Sequence, residues 1–146
     1  MDSSIERGKE VIRIETQALA ALESRINGSF ADAVELIYNC KGRVIVTGLG
    51  KSGLVARKIV ATMNSTGTAA VFLHPADAAH GDLGMVRKDD VAICISKSGD
   101  TEEIRQLLPM FRHIGMKVLT RVQQQRLMPT PWKQVTHSAS CNERMR

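Results

Sequence analysis

The stretch Val44-Ile-Val-Thr-Gly-Leu-Gly-Lys-Ser-Gly53 decides how this chain is to be read: an apolar run enters Gly48-x-Gly50-x-x-Gly53, with a lysine inside the turn. Such a run leading into glycines marks a buried parallel strand that hands over to a helix. Phosphate-binding turns of several kinds share parts of the pattern. A Walker A loop needs a glycine five residues before the glycine of its Gly-Lys-Ser, so that successive N–H groups wrap a phosphate. Here that position is Ile45, inside the strand, which argues against nucleotide hydrolysis. A dinucleotide turn expects an acidic side chain about twenty residues on, at the end of the second strand. The chain has Leu73-His74-Pro75 there; Asp77 comes late, beyond a proline, and Lys51 would crowd a pyrophosphate. What is left is glycines for close approach, free N–H groups at a helix start and an ammonium group, which together make an anion site.

Working outward, Ile5, Ile12, Leu19, Leu22 and Ile26 lay one apolar stripe on a helix ending near Asn27-Gly28. Ser29 is positioned to cap a second helix carrying Phe30, Val34 and Ile37, which stops around Cys40-Lys-Gly42. Beyond the glycine turn, Val55, Ile59 and Met63 predict a helix closing at Ser65-Thr-Gly67. Strand Ala70–Leu73, a loop, strand Val91–Ile95, another loop, a helix with Ile104, Leu107, Leu108 and Phe111, and strand Lys117–Thr120 follow. Two leading helices and then alternating strands and helices predict an α/β fold: a three-layer α-β-α sandwich around a parallel sheet, Rossmann-like, with its ligand at the carboxyl ends of the strands. Residues 121–146, with three consecutive glutamines, Pro129, Pro131 and no period, receive no regular element. They read either as a disordered tail or as an anomalous sequence replacing part of the domain.

Composition bounds the function. At 146 residues and 43% hydrophobic the chain is one domain's worth of core. It opens without a basic flank and apolar segment and holds no run near the roughly 18 apolar residues of a membrane span, so a cytoplasmic protein without a membrane partner is expected. The net charge of +5 is concentrated in the tail, where Arg121, Arg126, Lys133, Arg144 and Arg146 face Glu143 alone. The folded part is nearly neutral and its few aromatics form no stacking platform, which argues against nucleic acid. Cys40, Cys94 and Cys141 are too dispersed for a disulfide framework or a zinc site, and Cys94 reads as a buried strand residue.

A further loop, Ser96-Lys-Ser-Gly-Asp-Thr101, offers three hydroxyls and a glycine before a helix start, so Ser96, Ser98 and Thr101 can bond three phosphate oxygens. Taken alone, the same cluster serves as a helix cap. Between the two loops runs His74-Pro-Ala-Asp-Ala-Ala-His-Gly-Asp-Leu-Gly84. Its histidines, with Lys51 and Glu103, would supply proton donors, a base and an electrophile around one small polar ligand. Their bland readings are structural histidines, a solvated lysine and a helix-surface glutamate. The chemistry needs no metal, although His74 could take one up adventitiously.

In order and spacing, Gly48-Leu-Gly-Lys-Ser-Gly53, the block from His74 to Met85, and Ser96-Lys-Ser-Gly-Asp-Thr-Glu-Glu103 resemble the sugar isomerase (SIS) domain of bacterial D-arabinose-5-phosphate isomerases. The resemblance covers residues 1–120. It implies interconversion of D-arabinose 5-phosphate and D-ribulose 5-phosphate, feeding synthesis of the lipopolysaccharide sugar Kdo or capsule sugars, without a redox or other cofactor. It also implies that Lys51, Glu103 and His80 are catalytic, that Gly67, Thr68, His74 and His80 contact substrate, and that Ser52, Ser96, Ser98 and Thr101 bind the phosphate. Association into dimers or tetramers through the N-terminal helix is expected too. An enediol route gives Glu103 the role of base for the carbon-bound proton and Lys51 that of electrostatic stabiliser.

The departures lie after Thr120. Members of the resembled family continue with a strand-helix portion that brings a further glutamate and histidine, and commonly with two CBS domains, whereas this chain reads Thr120-Arg-Val-Gln-Gln-Gln. A domain truncated after about residue 120, with a frame-shifted basic tail and an incomplete catalytic set, is therefore expected. Two readings stay open: an isomerase inactive as this fragment, or a phosphosugar-binding module or regulator without turnover.

Overall fold

The computed structural model describes residues 2–97, 101–122 and 133–135. Helix α1 (Asp2–Ala20) leads by a 3-10 turn at Glu23–Arg25 into α2 (Gly28–Tyr38), then β1 (Val44–Gly48), α3 (Lys51–Ser65), β2 (Ala70–Leu73) and α4 (Pro75–Ala79). A 3-10 turn at Asp82–Met85 precedes β3 (Val91–Ser96), α5 (Glu102–Ile114), β4 (Lys117–Val122) and β5 (Lys133–Val135). Strands pair in the order β2-β1-β3-β4-β5, the first four parallel and β5 antiparallel to β4.

The three layers follow from alternation along the strands. Val44, Val46, Ile93 and Leu119 face one side, where Ala33 and Leu36 of α2 and Ala56 of α3 cover them. Ile45, Ala92, Cys94 and Val118 face the other, under Ala78 of α4 and Ile104, Leu107 and Phe111 of α5. Because α3 lies on one face and α5 on the other, the chain reverses direction between β1 and β3, and the crevice of such a sheet opens at that switch. At the amino ends, the buried Asp90 carboxylate accepts from the backbone N–H groups of Arg43 and Arg87, each at 2.8 Å, tying the loop before β3 to the start of β1. On the outer edge of β2, the Asn64 side chain donates to the Ala70 carbonyl at 3.0 Å and accepts from its N–H at 2.8 Å.

Several expectations are corrected. The first helix stops at Ala20 rather than near Asn27. Asn27, not Ser29, caps α2: it has the extended backbone of a cap, and its Oδ1 accepts from Ser29 N at 3.1 Å. The loop after β2 contains α4, and β4 runs on to Val122. Within the tail, residues 133–135 form a strand, because the free edge of β4 offers unpaired backbone groups that local periodicity does not reveal. No described helix is long and apolar enough to cross a membrane.

Candidate functional site

The site is built on the carboxyl rim of β2, β1 and β3. Thr47 pairs with Leu73 and Gly48 with Ile95, so His74 leaves β2 beside Gly48 and Ser96 follows one residue beyond the Gly48–Ile95 pair, neighbouring strands lying roughly 5 Å apart. The glycines of the turn have separate jobs. A Cβ on Gly53 would stand 2.7 Å from the Gly48 carbonyl oxygen, and one on Gly48 would stand 3.0 Å from the Ser52 carbonyl and 3.1 Å from that of Ile95. Both glycines let α3 seat directly against β1. Gly50, at φ 56°, turns the chain into the helix and leaves its start without a side-chain cap. Lys51 is therefore the first residue of α3, exposed and ion-paired with no carboxylate among the described residues, and Ser52 lies half-buried beside it.

After β2, His74 has extended backbone and Pro75 opens α4 at the position where a missing N–H costs nothing. Pro75 and Ala78 are buried, which pins the short helix to the core and leaves His74 and His80 at its two ends, roughly 9 Å apart along the axis. His80 is exposed, whereas His74 is half-buried, edge-on to Phe72 with ring centroids 6.3 Å apart. The Arg57 guanidinium lies 4.0 Å over the Phe72 ring. His74 Nδ1 is buried with no hydrogen-bond partner among the described residues; Asp77 Oδ1 lies 3.8 Å away.

At the third loop Ser96 is 5% exposed and its hydroxyl lies 3.0 Å from that of Thr101, so the pair staples the two ends of the loop together. Thr101 makes no side-chain cap to α5. Ser98 lies outside the described residues. In the first turn of α5, Glu102 is on the outer surface with Arg105 at 3.5 Å and Gln106 at 3.0 Å, while Glu103 is half-buried. Since α4 packs against α5, His74, His80 and Glu103 belong to one side of the rim and Lys51, heading α3, to the other.

Lys51, Ser52, His74, His80, Ser96, Thr101 and Glu103 thus share the carboxyl rim. Gly67 and Thr68 do not: Gly67, at φ 89°, and the Thr68 N–H bonded to the Met63 carbonyl at 2.9 Å close α3 at the amino end of β2. Two clefts of about 470 and 490 Å³ also lie at amino ends, the second lined by Gly67 and Thr68. The first mixes Lys41, Lys88 and Lys117 with Asp32, Glu35 and Asp89. It lies at the end of the sheet opposite the carboxyl rim, where ligands of open α/β sheets bind, so the rim is the better candidate. Among the described residues no three His, Cys, Asp or Glu side chains are grouped to hold a metal ion. Sequence reasoning passed over Asp77 as a partner of His74, although their spacing of three across a proline-initiated turn signals it.

Residues 36–122 match the SIS domain family. The chain is 49% identical over 112 residues to arabinose 5-phosphate isomerase KdsD of Salmonella typhi, covering 77% of this chain and 34% of the relative. It is 47% identical over 116 residues to KdsD of Pseudomonas aeruginosa, covering 80% and 36% respectively. It therefore spans about a third of the length of these curated relatives. The solved structure of the E. coli CFT073 protein c3406, a ligand complex, superposes with a TM-score of 0.66 at 40% identity, covering 78% of this chain and 64% of that one. Glycine turn, histidine block and serine loop stand at the carboxyl ends of a parallel sheet in the order the resemblance requires, and with a family match over more than half its length the chain belongs to the SIS domain family.

Proposed function

We propose that the chain binds a sugar phosphate at the carboxyl rim and acts as an aldose-ketose isomerase interconverting D-arabinose 5-phosphate and D-ribulose 5-phosphate. What supports this reading is that Lys51, with no ion-pair partner among the described residues, heads α3 after β1 and half-buried Glu103 lies in the first turn of α5 after β3, both following the carboxyl ends of their strands. The α3 N-terminus, Ser52 and Thr101 supply donors to the phosphate. Glu103 takes the proton from C2 of the open-chain aldose, and Lys51 stabilises the negative charge that develops on the carbonyl oxygen. Return of the proton to C1 of the enediol, with loss of the hydroxyl proton from the oxygen on C2, gives the ketose. In this reading His80, exposed at the end of α4, moves that hydroxyl proton or opens the sugar ring.

Calorimetry with arabinose 5-phosphate, NADH and ATP tests the binding half. Binding of the sugar phosphate alone is expected, and NADH binding without a response to arabinose 5-phosphate would overturn the reading. A coupled assay for ribulose 5-phosphate tests the chemical half. Where turnover is found, Lys51→Ala or Glu103→Gln should lower it by about 10²- to 10⁴-fold while phosphate binding survives. Binding without turnover supports the second reading, a phosphosugar-binding module.

A further inference from the structure

We infer that Asp77 is a positioning residue: its carboxylate accepts from His74 Nδ1–H and so holds the neutral imidazole with Nε2 unprotonated, presented to the ligand as a hydrogen-bond acceptor. This rests on the proposed sugar-phosphate site for the identity of the ligand only. Three observations meet at His74. Its Nδ1 is buried and unpartnered among the described residues, a state that is costly for a polar atom that could be paired. The carboxylate of Asp77, one helical turn away, stands at 3.8 Å, beyond hydrogen-bond range by less than an ångström, on a side chain that is exposed and able to move. Finally, the ring is braced rather than loose: Phe72 meets it edge-on at an interplanar angle of 63°, and Arg57 stacks on Phe72 at 4.0 Å.

A modest rotation of the Asp77 side chain therefore pairs the orphaned nitrogen while Phe72 keeps the imidazole plane where it is. Which ring nitrogen carries the proton is set by the hydrogen bond made by the other. With Nδ1–H given to Asp77, Nε2 has a lone pair and no proton, suited to a sugar hydroxyl rather than to a phosphate oxygen. His74 would thus read the hydroxyl end of the ligand. The serine loop and the α3 N-terminus read its phosphate.

The tautomer is directly observable by long-range nitrogen-15 NMR of the labelled 146-residue chain at a pH where the ring is neutral. The expected result is the Nδ1–H form for His74 in the wild type, reverting in Asp77→Ala to the Nε2–H form that free imidazole side chains favour. Asp77→Asn, which keeps one acceptor oxygen, should retain the Nδ1–H form, and a circular dichroism spectrum checks that each variant is folded. Where arabinose 5-phosphate binds the wild type, Asp77→Ala should weaken it by about 3- to 10-fold, the range for one hydrogen bond, and Asp77→Asn should restore most of that loss. An Nε2–H tautomer in the wild type, or a tautomer indifferent to Asp77→Ala, overturns the inference. A tautomer that follows Asp77 in a protein that does not bind arabinose 5-phosphate upholds the His74–Asp77 pairing and overturns the sugar-phosphate reading instead.

Discussion

Thr47 and Cys94 are register partners on β1 and β3, both buried, and they behave in opposite ways. Burial pushes the Cys94 thiol up to about 12, from an ordinary value of about 9. The unfolded chain gives up this proton first, so the thiol's contribution to stability is complete below pH 9 and is lost as pH rises toward 12. The slope approaches about 1.4 kcal/mol per pH unit in that window. Urea unfolding across it should show a steeper loss for wild type than for Cys94→Ala, and a thiol reagent near neutral pH should modify Cys40 and spare Cys94. The Thr47 hydroxyl, by contrast, has no hydrogen-bond partner among the described residues. An unsatisfied buried hydroxyl costs about 1–3 kcal/mol, so Thr47→Val, which keeps the shape, should raise the urea midpoint, with a gain of about 1 kcal/mol. A fall in stability would mean that the hydroxyl has a partner outside the described residues. Of these two side chains, only the cysteine was legible in the sequence: an apolar strand announces burial of its members, but whether a hydroxyl finds a partner depends on neighbouring strands and helices.

Among the elements, the strands were readable because each is a short apolar run bounded by turn residues, and the structure extends each of β1, β3 and β4 by only one or two residues. Helix α4 was not readable. A five-residue helix shows no 3.6-residue period, and its start signal, Pro75 after an extended histidine, also fits a loop. The packing of α3 on β1 was half legible: the glycine spacing indicated close approach, while the structure says which glycine meets what. Gly53→Ala illustrates the competition. Helix propensity would favour alanine by about 1 kcal/mol, but the new methyl would meet the backbone oxygen of Gly48 at 2.7 Å, where nothing flexible can yield. Overpacking of this kind costs about 1–3 kcal/mol, so net destabilisation is expected in thermal melts, together with weaker phosphate binding as α3 tilts off the strand.

At the scale of the whole molecule, α1 projects with Ile5, Ile12, Ile14 and Leu19 all more than half exposed, and α2 adds Val34 and Tyr38 to the apolar surface. We propose self-association through α1: light scattering should give a multiple of the chain mass, and Ile12→Glu with Leu19→Glu should return it to a monomer. The resemblance led to Gly67 and Thr68 as ligand contacts, whereas the topology puts them at the far end of the sheet. Motif matching carries no information about which end of a strand a residue occupies; the element order does. The Asn64 clip on the edge of β2 has a chemical consequence of its own. Its amide imitates a neighbouring strand by offering a donor and an acceptor to one residue, Ala70. Spontaneous deamidation during ageing would replace the donor with a second anionic oxygen facing the Ala70 carbonyl, so an old preparation would lose its edge guard through a mass change of about one dalton and become prone to sheet-to-sheet aggregation.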